Sequence, residues 1–194
     1  MSLKVVQLDD NKLTGSIPSM NALKSLVVWT TENNQFTGAF PDSSSMVGLV
    51  TLGMQVTKDQ PTLPSAEMLP PNMFYLKLST NMDDGAIPSL TMLQGAKMLI
   101  LQLTGGFKGE ISEGFMNTIG TWSLRHLGFT PSYYKKDGDI SGAMFHPRYT
   151  YEGKGNPNAL TGVFPTWSDP KLPVFRSYIF SVHLSHNEFT GPFP

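Results

Sequence analysis

Two histidines, His183 and His186, stand three residues apart and are the nearest approach to a metal-ligand spacing in the chain. On a strand, positions i and i+3 face opposite sides, so both would ligate only if a turn bent them together. Glu188 is the one carboxylate at a helpful spacing, and the expectation is no metal. No Ser/His/Asp triad and no paired carboxylates in a recognisable motif are present, and phosphate loops and dinucleotide fingerprints are missing. Cysteine is absent, which removes disulfides, thiolate zinc sites and a cysteine nucleophile. The residue types point away from an enzyme and call for no cofactor. What remains is a scatter of polar side chains suited to contact: Gln7, Thr30, Glu32, Tyr75, Lys77, Gln102, His126 and His183.

These residues matter only if something aligns them, and a repeat does. Leu13-Thr14-Gly15-Ser16-Ile17-Pro18 returns as Phe36-Thr37-Gly38-Ala39-Phe40-Pro41 and as Asp83-Asp84-Gly85-Ala86-Ile87-Pro88. It returns again as Leu160-Thr161-Gly162-Val163-Phe164-Pro165 and Phe189-Thr190-Gly191-Pro192-Phe193-Pro194, with weaker copies ending at Ser112 and Phe145. Upstream lies a second signature, Val6-x-Leu8-x-x-Asn11, repeated at Trp29-x-Thr31-x-x-Asn34, Leu76-x-Leu78-x-x-Asn81 and Val182-x-Leu184-x-x-Asn187. An apolar residue three positions earlier completes it at Leu3, Leu26, Leu49, Met73, Leu124 and Ile179. Alternation at period two predicts a short strand with one face inward.

These motifs resemble the leucine-rich repeat family, and the Gly-x-Ile/Phe-Pro half is similar to its plant-specific subtype. The resemblance covers essentially the whole chain. It implies an α/β repeat: a right-handed solenoid with a parallel concave β-sheet, short second strands and helical or 3-10 back segments. Residues 1–194 would form one array of about eight repeats, irregular with insertions at about 99–178 and with no obvious caps. Each coil is too small to bury its own apolar face, so stacking must supply the core.

Within that frame the asparagines at 11, 34, 81, 158 and 187 would turn the chain out of each strand and satisfy backbone groups of neighbouring coils, or else sit as exposed turn residues. Asn21–Leu26 and Leu90–Ala96 suit the helical or 3-10 back. The concave side would carry a central column of Gln7, Thr30, Gly53, Lys77, Gln102, Gly128, Thr150 and His183. Flanking it would be Asp9, Asp10, Glu32, Asn33, Gln55, Tyr75, Ser79, His126, Ser181, Ser185 and His186. Tyr149-x-Tyr151 is a candidate strand, and Thr130–Asp139 is either a recognition loop or a solvated insertion.

The 14 Lys+Arg against 15 Asp+Glu leave no basic excess for a polyanion, so nucleic acid is not an expected partner. No apolar run approaches the roughly 20 residues that span a bilayer. The expected partner is a protein, peptide or carbohydrate held on the concave face, with contact inside a larger assembly as the alternative. The resemblance implies an extracellular or cell-surface, receptor-like setting, to which the lack of any Asn-x-Ser/Thr acceptor lends nothing.

Overall fold

The computed structural model describes residues 2–56, 63–94, 96–122, 124–130, 159–161, 181–183 and 188–191. Thr150, Tyr149-x-Tyr151, the insertions at 131–139 and 146–157, His186, Asn158 and Asn187 lie outside the described residues.

The alternating segments form strands, and all of their pairings are parallel. Strands β1 (Val5–Gln7), β3 (Val28–Thr30), β5 (Thr51–Gln55), β6 (Tyr75–Ala86), β7 (Ile100–Glu110), β8 (His126–Thr130) and β10 (Ser181–His183) lie side by side in that order. From β1 to β8 each hydrogen-bonds to a strand one repeat away, as in a leucine-rich-repeat-like α/β fold, whereas β10 pairs directly with β8, with Val182 opposite Leu127, so the rung expected at Thr150 does not stand between Gly128 and His183. The register is regular: Val6, Trp29, Leu52, Leu76, Leu101, Leu127 and Val182 occupy one row across the sheet. The five from Trp29 to Leu127 are fully buried, and Val6 and Val182 at the two outer strands pack partly against the same core. Leu78 is also fully buried and Leu8 half-buried.

A second strand column exists as expected. β2 (Thr14–Ser16) pairs with β4 (Gln35–Thr37), and the end of β7 pairs with β9 (Ala159–Thr161). In two coils, however, the columns are not separate. β6 and β7 run through both as single strands of 12 and 11 residues. Their register shifts between Thr80 and Gly85, because Thr80 faces Gly105 whereas Gly85 faces Phe107. The β7 coil therefore makes its corner with fewer residues. Gly105 makes this possible: it takes φ +95, and a Cβ there would lie 2.4 Å from the Thr80 carbonyl oxygen.

The back of the coils is more varied than the resemblance implied. Thr91–Leu93 is a 3-10 turn within the expected segment, and Ala66–Met68 is another. Asn21–Leu26, expected to be helical or 3-10, holds two separate turns with 3-10-type bonds, Leu23 N–H to the Met20 carbonyl (2.8 Å) and Leu26 N–H to the Leu23 carbonyl (2.9 Å). A true helix, α1 (Glu113–Ile119), appears one coil after the 3-10 turn at Thr91. Ser112, standing where other repeats have their anchoring proline, caps it by accepting the Phe115 N–H at 3.1 Å. The helix buries Phe115, Met116 and Ile119, and Trp122 beyond it donates Nε1–H to the Leu93 carbonyl of the preceding back segment at 3.0 Å.

The asparagine ladder is visible at Asn34. Its Nδ2 donates to the carbonyls of Leu8, Thr31 and Glu32 at 2.7, 3.2 and 3.1 Å, and its Oδ1 accepts the Leu13 N–H at 3.1 Å. One buried amide thus serves two coils. Asn11 does less: it is exposed and bonds to carbonyls of its own turn, Leu8 and Asp9.

Candidate functional site

Because the sheet is parallel and in register, residues two apart on each strand line up in columns on the face opposite the core. The middle column reads Gln7, Thr30, Gly53, Lys77, Gln102, Gly128 and His183. On one side of it run Val5, Val28, Thr51, Tyr75, Ile100, His126 and Ser181. On the other run Gln55, Ser79 and Thr104, each two residues after its middle-column neighbour, with Asp9 and Glu32 at the same offset just beyond β1 and β3. The sequence-predicted site residues therefore share one face.

They are not all joined. Glu32 and Lys77 meet in an ion pair of 2.8 Å although β5 runs between their strands. Gly53 opens the path: an added Cβ would lie 2.9 Å from Thr30 Cγ2 and 3.1 Å from Glu32 Oε2. Tyr75 donates its hydroxyl to Gln102 Oε1 one strand away. Thr30 donates its hydroxyl to Asp9, whose other oxygen accepts the Glu32 N–H at 2.8 Å. Asp10 and Asn33, equivalent residues of successive coils with left-handed φ of 59 and 51, are linked at 2.8 Å. Gln7 is exposed on β1, and His126 is half-buried on the Tyr75 side. The backbone of His183 pairs with Gly128, and its side chain is outside the described residues.

Much of this polar face is covered. Thr30, Glu32, Thr51, Gln55, Tyr75 and Ser79 are all buried, whereas the Lys77 side chain stays 33% exposed. Rows about 4.8 Å apart let each side chain cover its neighbours. Burial then governs the electrostatics. It pushes the Glu32 carboxyl up to about 7, against the pull of Lys77 and with the help of Asp9 and Asp10. Burial alone would lower Lys77, but the Glu32 charge and hydrogen bond, with Tyr75 and Asp9, outweigh it and hold the ammonium above the ordinary lysine value. Tyr75 is pushed up to about 12 by burial, so its hydroxyl stays a donor at neutral pH.

Sequence reasoning found the columns but missed that three of these buried atoms lack partners. Glu32 Oε1, Gln55 Nε2 and Ser79 Oγ are buried without a hydrogen bond. Each such group costs about 1–3 kcal/mol when left unsatisfied. The available signal was their shared repeat offset, each two residues beyond the middle column. Among the described residues, no group of three or more His, Cys, Asp or Glu could hold a metal ion, and no helix is long and apolar enough to cross a membrane.

No protein-family model matches this chain, and no curated protein matches it. Among solved structures it is similar to PEPR1–AtPEP1, at 19% identity and TM-score 0.38 over 99% of this chain and 22% of that one. It is similar to the plant peptide hormone receptor RGFR1 in complex with RGF2, at 19% identity and TM-score 0.29 over 96% of this chain and 36% of that one. A further similarity is to the leucine-rich-repeat ectodomain of the Arabidopsis receptor kinase HAESA with an IDA peptide hormone. There the identity is 17% and the TM-score 0.28, over 99% of this chain and 39% of that one. The chain thus spans well under half the length of each of these structures.

Proposed function

We propose that this chain is a non-catalytic recognition module that binds a peptide or protein segment along the concave face of a right-handed, plant-subtype leucine-rich-repeat solenoid extending over residues 1–194. The observation that supports this most is the in-register polar column. Gln7, Thr30, Lys77 and Gln102 recur at one rung position on the face the core does not use, flanked by Glu32, Tyr75 and His126. Polar groups aligned over many strands suit an extended ligand. A receptor-like, extracellular setting goes with this reading, since the three similar structures include peptide hormone receptors and their hormones.

Selection of a peptide-display library on the immobilised protein tests it. Selected peptides bind the wild type, and Lys77→Glu combined with His183→Ala weakens them at least tenfold. Binding that survives this double change but fails on altering the terminal coils points to the second reading, a structural solenoid docking through its flanks in a larger assembly. The observation favouring that alternative is the apolar edge at Leu3, Val5 and Leu13, which are 53%, 48% and 39% exposed.

A further inference from the structure

Three residues that each carry an unpartnered atom share one repeat offset, two residues beyond the middle column, in successive coils. Glu32 follows Thr30 by two residues and Gln55 follows Gly53 by two, and Thr30 faces Gly53. Gln55 in turn faces Ser79. The three residues are 5%, 7% and 7% exposed, so each is more than nine-tenths buried. On Glu32, Lys77 takes Oε2 at 2.8 Å and leaves Oε1 free. On Gln55, Oε1 accepts the Asn34 N–H at 2.7 Å, which fixes the amide orientation and leaves Nε2, a donor, without an acceptor. Ser79 Oγ can act either way and has no partner.

With Glu32 ionised, above about pH 7, a group that satisfies both atoms donates to Glu32 Oε1 and accepts from Gln55 Nε2. A guanidinium or ammonium offers only donors and would confront the Gln55 amino group. A carboxylate or phosphate offers only acceptors and would confront the Glu32 carboxyl. A neutral amide offers one of each. Hydrogen bonds of about 2.9 Å from its two ends bridge rows about 4.8 Å apart. No extra charge is called for, because Lys77 already faces the Glu32 carboxylate.

We propose that Glu32, Gln55 and Ser79 form a subsite for one neutral amide group of a bound chain, either a peptide unit or a carboxamide side chain. The proposal rests on ligand binding to this face and specifies what chemistry the face reads there. The Gln55 side-chain amide signals in a nitrogen-15 correlation spectrum report on it directly. Acetamide stands in for a carboxamide side chain and N-methylacetamide for a peptide unit. N,N-dimethylacetamide (acceptor only) and methylguanidinium (donors only) are the controls.

The expected result is a saturable shift of the Gln55 amide signals with acetamide or N-methylacetamide, the tighter of the two identifying the source. Neither control saturates, and Ser79→Ala, a small change that keeps the fold, weakens the effect at least threefold. Saturation by methylguanidinium, or unmoved Gln55 signals with both amides, overturns the subsite. So does a persistent contact to a slowly exchanging water that the amides do not displace. A display-selected peptide separates this failure from a broader one. Shifts at Gln102 and His126 with Gln55 unmoved reject the subsite and keep the binding face; shifts confined to the back segments reject the face itself.

Discussion

Leu3 and Leu26 occupy the same position in successive coils, yet Leu3 is 53% exposed and Leu26 is completely buried. The same holds for Leu13, 39% exposed, against Phe36, 8% exposed. For Leu3 and Leu26 the residue type is the same; the difference lies in the neighbours. β1 pairs with one strand, β3 with two. In a stacked architecture a coil's apolar residues acquire their burial from the coils beside them, so stability is a property of contacts between repeats more than of any repeat.

The sharpest way to break that comparison is to truncate the equivalent leucines. Leu26→Ala and Leu49→Ala, both at fully buried positions, should each cost about 2–5 kcal/mol in urea unfolding. Leu3→Ala should cost less than about 0.5 kcal/mol. Equal losses at Leu3 and Leu49 would mean that the first coil is as well packed as the interior.

Asparagine draws the same contrast in hydrogen bonds. Asn34 bonds to groups of its own coil and the one before, whereas Asn11 bonds only within its own turn. Asn34→Ala should therefore destabilise by about 1–3 kcal/mol, since it strands buried backbone groups. Asn11→Ala should stay within about 0.5 kcal/mol. Amide exchange at Leu13, measured in Asn34→Ala, would show whether its N–H has lost the Asn34 acceptor.

The interior polar face adds a dependence on pH. The folded state holds Glu32 up at about 7 against an ordinary 4.5, so it binds the proton more tightly than the unfolded chain does. Stability contributed by this group is therefore greatest at low pH and declines as pH rises from about 4.5 to about 7. The decline should be on the order of 3 kcal/mol, and Glu32→Gln should flatten it. A stability that instead rises across this window in the wild type and stays rising in Glu32→Gln would remove Glu32 as its source.

The periodic part of the molecule was legible because spacing alone determines it. Trp29, Leu52, Leu76, Leu101 and Leu127 stand at matching repeat offsets, and their rung follows from parallel stacking. The polar column followed from the same offsets. The Glu32–Lys77 pair was not legible: it joins residues 45 apart and depends on Gly53 leaving room between them. Burial of the polar face was missed because alternation says which side a residue faces, not how closely neighbouring rows cover it. Helix α1 was hidden because Ser112 was read as a weak copy of the proline anchor. In the structure it is a helix cap. The fused strands β6 and β7 depend on a tight corner at Gly105 that no periodic pattern announces.

The most direct test of the central claim is a backbone chemical-shift map of the protein with and without a display-selected peptide. The account predicts the largest changes along the polar columns, at Thr30, Glu32, Gly53, Gln55, Lys77, Ser79 and Gln102. Changes concentrated instead on the back of the coils, at Leu23, Met46, Leu69 and Leu93, would contradict it.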